Sequence, residues 1–243
     1  RLGGAVQRGE KKLMKLRQIL TGVGLALAMS SAQAIVVDFE GLDAGTIIDG
    51  AQDGVTITTD GFSGSSPDVA VVFDTANPTG GDEDLGGPFS TSNPDLSSEY
   101  DPGNVLIIQE NGPCEVICET PDDDRNGGTI KFVFDQPITL NSIDVFDIEA
   151  DENSGEVELY VFTLDADGDL LGAFTIPVTG GDNTWDRVTF DNADNVGTVG
   201  IFLAGSGAID NIDFTVVPVP PAVLLFGSAL GLLAGVRRRL AAK

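Results

Sequence analysis

The chain has 243 residues, a formal net charge of -25, 31 glycines and no histidine. That length gives one domain or a domain with tails, and it suffices for a real core. The absence of histidine excludes Ser-His-Asp and Cys-His catalysis and the usual zinc hydrolase ligands, and the acidity repels phosphate backbones, so no nucleic acid partner is expected.

Residues 1–13 read as an upstream extension. From Met14 a basic start, an apolar Ile19–Met29 stretch and the small residues Ala32 and Ala34 follow in the order of a signal peptide, 14–34. Cleavage after Ala34 makes Ile35 the first mature residue. The charge is uneven. Between 35 and 236 there are 3 basic residues, Arg125, Lys131 and Arg187, against 37 acidic ones. Solubility and binding of divalent cations are the two uses for such a surface.

The segment 35–216 alternates strand and turn. Predicted strands are Ile35–Phe39, Gly54–Thr58, Val69–Phe73, Val105–Gln109, Thr129–Phe134, Ser142–Phe146, Glu156–Leu164, Leu170–Pro177, Trp185–Phe190, Val199–Ala204 and Ala208–Val216. They are rich in Val, Ile, Phe and Thr and bounded by Gly, Asp, Asn and Pro. No stretch keeps a helical period. The expected fold is all-β, a two-sheet antiparallel jelly-roll-like sandwich. Residues 76–104 read as a long Gly, Asp, Pro and Ser-rich insertion, the kind of loop that carries function.

Calcium is the expected ligand, since it takes about six to eight oxygens from carboxylates, amides and carbonyls. Asp38 and Glu40 end the first strand and Asp210 and Asn211 start the last, so neighbouring terminal strands would unite them. Asp74, Asp82 and Asp84 form a second candidate group. Asx-turn capping is the other use for all these residues. The Asp122–Asp124 run reads as a solvated loop. Asp165, Asp167 and Asp169 imitate an EF-hand opening, but Gly168 comes too early and Ile176 stands at position twelve. A hairpin turn fits them better. Cys114 and Cys118 are expected to form a disulfide in an exported protein. Trp185 is either a sugar platform or a core residue. No constellation supports catalysis, so no enzyme is expected.

The tail 217–243 opens with Val217, Pro218, Pro220 and Ala222, continues with an uncharged Val223–Val236 run, and closes on Arg237, Arg238 and Arg239. With its flanks the run reads as a membrane helix, and the arginines belong on the cytoplasmic side. The motif, helix and terminal arginines together resemble the PEP-CTERM class of sorting tails, in its Val-Pro-Leu-Pro-Ala-like variety, with Val219 in place of Leu and an extra Pro221. An anchor that is never cut is the other reading of the same residues. The resemblance implies an inner-membrane precursor, cutting by an exosortase-type enzyme, and delivery to the cell surface or extracellular matrix. More loosely, Asp38-Phe39-Glu40, Phe73-Asp74-Thr75, the Thr79–Leu85 and Gly103–Glu110 stretches and Gly205–Asn211 resemble the sandwich domains of such proteins. Their layout is similar to non-catalytic carbohydrate-binding modules with a structural calcium. The expected function is therefore a structural or adhesive matrix protein. The alternative is a carbohydrate-binding module for exopolysaccharide, which an exposed aromatic strip on one sheet face would favour.

Overall fold

The computed structural model describes residues 34–52, 54–61, 69–110, 114, 116–149, 160–191 and 193–217. The signal peptide up to Gln33, the sorting tail from Pro218 onward and the 156–159 part of one predicted strand lie outside the described residues. Within those described, no helix is long and apolar enough to cross a membrane.

Twelve strands account for the unit Ala32–Val217. They are β1 (Ala34–Val37), β2 (Ile47–Ile48), β3 (Gly50–Gln52), β4 (Val55–Gly61), β5 (Ala70–Asp74) and β6 (Asn104–Ile108), then β7 (Gly128–Phe146), β8 (Tyr160–Leu164), β9 (Leu170–Thr175), β10 (Trp185–Thr189), β11 (Val196–Leu203) and β12 (Ala208–Val216). All ladders between them are antiparallel. The described residues hold no α-helix, only one turn of 3-10 helix at Glu83–Leu85. The all-β reading therefore holds.

The strands share one continuous hydrogen-bonded sheet, where separate sheets were expected. The cause is β7. Two predicted strands, Thr129–Phe134 and Ser142–Phe146, are one 19-residue strand. Its first part pairs with β4 and β11, and its last part with β12 and β10. Asp135–Pro137 have no partner in any of these ladders. Proline, which lacks an N–H, is tolerated where the neighbours change.

Alternation sorts the side chains into two cores. Ala70 and Val72 of β5, Leu106 and Ile108 of β6 and Ile209 of β12 join Val55, Ile57, Ile130, Phe132, Val199 and Ile201 in the larger cluster. Val71, Phe73, Val105, Ile107, Phe146 and Ala208 point the other way. The predicted long loop closes over that second face, with Leu85 and Phe89 buried in it and Leu96 and Tyr100 packed against it. Both cores are built from residues within 37–216, so this segment carries what it needs to fold by itself.

Candidate functional site

Three places collect chemistry. The first is a row across β10, β7 and β12. The register sets Arg187 opposite Asp144, and Asp144 opposite Asp210. Asp144 is 0% and Asp210 1% exposed. Arg187 holds Asp144 in a fork, with Nη2 to Oδ2 at 2.7 Å and Nε to Oδ1. Its guanidinium lies 5.8 Å from the Trp185 ring centre. A bulge in β12 places Asn211 at φ 48°, a conformation that Asn tolerates better than most residues. There its amide reaches Tyr100 Oη and Asp210 Oδ2, both at 2.8 Å, and Asp144 Oδ2 at 3.2 Å. The Tyr100 ring lies 4.3 Å from the Trp185 ring, tilted by 38°. Above the row lies a cleft of about 240 Å³ lined by Val36, Tyr100, Ser142, Arg187, Asn211 and Asp213.

Burial, then the Asp144, Asp38 and Glu40 charges, push the Asp210 carboxyl up to about 8 against the Asn211 hydrogen bond. Asp210 Oδ1 has no hydrogen-bond partner. Burial likewise pushes the Tyr100 hydroxyl up to about 12. The predicted meeting of terminal strands occurs: β1 pairs with β12, Val37 opposite Ile212, which sets Asp38 beside Asn211. Glu40 accepts from the Asn104 backbone N–H at 2.8 Å.

The second place joins Asp82 to Asp123. The Asp123 N–H donates to Asp82 Oδ2 at 2.8 Å, and Asp123 Oδ2 accepts from Gly207 N at 2.7 Å. Burial raises Asp82 to about 6 and Asp123 well above the carboxylate range, with Asp84 adding repulsion to both and Asp147 to Asp123. Asp122, Asp123 and Asp124 are 8%, 6% and 2% exposed, which overturns the solvated-loop reading of that run. The segment is tied to the end of β6: Glu110 N donates to Asp122 O, and Asp124 N to Ile108 O. Asp74 is not part of this group; its two oxygens cap Ala76 N and Asn77 Nδ2. Among the described residues, no three acidic side chains stand where they could hold a metal ion. Asp165 caps its own hairpin through the Asp167 and Asp169 N–H groups. Cys114 and Cys118 are disulfide-bonded. Trp185, 3% exposed, is a core residue.

The third place is the outer face of β8 and β11. Tyr160 and Phe162 share a face by alternation, and register sets Phe202 opposite Tyr160 and Gly200 opposite Phe162. Tyr160 and Phe202 are parallel within 9° at 4.9 Å, and Tyr160 lies 6.1 Å from Phe162. A Cβ on Gly200 would come 2.0 Å from the Phe162 ring, so glycine lets that ring lie flat on the sheet. All three rings are partly exposed. Lys131 and Thr58 continue the Gly200 row. The i, i+2 aromatics of β8 are visible in sequence; their alignment with Phe202 and Gly200 needs the register.

No protein-family model and no curated protein matches the chain. Among solved structures it is similar to the K2 cleaved adhesin domain of Lys-gingipain, at 11% identity over 75% of this chain and 99% of that one, with a TM-score of 0.40. It is also similar to a mutant family 29 carbohydrate-binding module, at 9% identity over 76% and 92%, TM-score 0.32. A third is the enzymatically active domain of tailspike protein 4 from bacteriophage CBA120, at 10% identity over 69% and 21%, TM-score 0.27. Likeness of this degree assigns no ligand; the ligand has to come from this chain's own surfaces.

Proposed function

We propose that the domain is a non-catalytic, polysaccharide-binding adhesive module, displayed on the cell surface or in the extracellular matrix. The observation that carries this is the Tyr160–Phe162–Phe202 platform, with one ring seated flat on Gly200. Partly exposed aromatic faces suit the apolar faces of sugar rings. The rest of the reading follows the sequence. The 217–243 tail anchors the precursor in the inner membrane until an exosortase-type enzyme cuts it. The continuous sheet folds about β7 into two layers, a jelly-roll-like sandwich.

Calcium belongs to the proposal as a structural ion. Asp210 Oδ1 is buried without a partner, and the Asp38 and Glu40 carboxylates whose charges act on it carry oxygens of the hard type that calcium takes. As placed, Asp210, Asp38 and Glu40 do not converge on one point, so a bound ion would have to draw these carboxylates and the Asn211 carbonyl oxygen together, completed by backbone carbonyls and water.

Affinity electrophoresis of the 35–216 segment in gels containing soluble neutral glucans, galactans or xylans tests the sugar reading. A neutral glycan should retard the domain. Alginate should not, because 37 acidic residues face its carboxylates. Phe162→Ala and Tyr160→Ala should each weaken retardation about tenfold. Gly200→Ala should do the same by lifting the Phe162 ring, with both contacting side chains still present. Unchanged retardation in all three variants, or none by any glycan, would remove the platform as the binding site.

A further inference from the structure

Of the three cations between 35 and 236, two have carboxylate partners: Arg125 reaches Glu110 at 3.6 Å, and Arg187 holds Asp144 in its fork. Lys131 makes no ion pair among the described residues. It stands half-buried on β7, in the row that carries the aromatic platform. The registers set Phe162, Gly200, Lys131 and Thr58 side by side across β8, β11, β7 and β4. With no side chain on Gly200, the Phe162 ring leans across β11, and its Cζ is the atom nearest the place a Cβ would take. The ring therefore ends one strand spacing, about 5 Å, from β7. A sugar lying on that ring has an edge beside Lys131.

We propose that Lys131 selects the glycan: the ligand is a mainly neutral polysaccharide with sparse carboxylates, and Lys131 pairs with a carboxylate on the sugar stacked over Phe162 or on its neighbour. This rests on the carbohydrate reading and adds the charge of the ligand to it. A lysine kept for stability would stand as Arg125 and Arg187 do, against a carboxylate. Its cross-strand partners are instead Gly200 and Thr58, and Thr129 and Val133 flank it on the same face of β7. Of the four diagonal positions only Asp60 is acidic, about 7–8 Å away. A carboxylate docked on Lys131 is thus paired at contact, and charges beyond about 8 Å act on it only through screening salt. One cation serves one carboxylate. A polyuronate would have to lay its further charges along a surface with 37 acidic residues.

Lys131 also gives the chain a direction. Ring stacking alone accepts a sugar chain either way round, because it reads only an apolar face. A cation on one flank of the platform does not. The other flank, β9, sets Ala173 opposite Phe162 and carries no charged residue.

The test is affinity electrophoresis of the 35–216 segment in chelator, so that no calcium bridges two acids. It compares the neutral glycan that retards the domain with the same polymer after a small fraction of its primary hydroxyls has been oxidised to carboxylates; for a xylan, glucuronoxylan is the acidic form. The acidic form should bind about threefold more tightly, the size of a surface ion pair. Added sodium chloride should shrink that difference. Lys131→Gln should erase the preference, and Lys131→Arg should keep it. Equal or weaker retardation by the acidic form, or a preference that survives Lys131→Gln, overturns the role of Lys131, while retardation by the neutral form leaves the platform standing. No retardation by either form strikes the platform itself, and the role of Lys131 falls with it.

Discussion

Arg187→Ala should destabilise the domain by about 3–5 kcal/mol, the range for breaking a buried ion pair from one side. Asp144 is 0% exposed and takes both its charged hydrogen bonds from Arg187. Without the arginine it keeps only the Asn211 amide, at 3.2 Å, and it faces Asp210 directly across the ladder. Chemical denaturation reads this as a lower midpoint with an unchanged slope. Arg187→Lys should recover only part, because an ammonium cannot reproduce the fork. The double variant Arg187→Met with Asp144→Leu should recover more than the lysine, since it removes the stranded charge. A cost below about 1 kcal/mol for Arg187→Ala would class the pair with solvent-screened surface bridges. The arginine side chain is 37% exposed, so that outcome is a fair contest with the burial of its partner.

The row that makes this prediction is invisible to local reading. Arg187 and Asp144 are 43 positions apart, and only the β7–β10 and β7–β12 registers align them. Strand identity was more legible. β1, β4 and β8 to β12 follow from apolar alternation and turn residues, and β5 and β6 from short continuous apolar runs, since they put both faces in cores. β2 and β3 are missed because two and three residues carry no period. β7 is expected as two strands, Thr129–Phe134 and Ser142–Phe146, because the residues between them show no clean alternation, whereas the chain changes partners there without leaving the strand. The 76–104 insertion is legible as a loop, but its role as a cover is not. Leu85, Phe89, Leu96 and Tyr100 have no regular spacing, and what unites them is the second apolar face of β5 and β6 that they cover. Asp122–Asp124 mislead for a related reason. A charge run is solvated by default, and here backbone pairing with β6 draws it inside.

In chelator, the melting temperature of the 35–216 segment should fall as pH rises from about 4 to about 8. Asp210 at about 8, Asp82 at about 6, and Asp123 and Glu110 in the same direction all sit above the unfolded carboxyl value near 4. Burial is the first cause in each case. The folded chain thus keeps protons that the unfolded chain has released. Its stability contribution is complete below the unfolded value and is lost as pH rises through the folded ones. Arg187, also raised, titrates far above this window. The expected drop is about 10 °C or more, opposite to the rise that salt-bridged carboxylates produce. Asp210→Asn, a permanent mimic of the protonated acid, should flatten the part between pH 6 and 8; Asp123→Asn should relieve a second part. The groups facing Asp210 are Asp144, Asp38, Glu40 and the Asn211 amide, so no cation of the described chain other than Arg187, already held by Asp144, is at hand to offset its charge. Calcium then decides what the cluster is for. A cation that binds the ionised carboxylates must compete with their protons, so its stabilisation should be large at pH 8 and small at pH 5. If calcium raises the melting temperature at pH 8 no more than sodium chloride of equal ionic strength, the calcium proposal fails. Asp210 and Asp123 are then buried acids, and a domain that loosens as its surroundings turn alkaline remains.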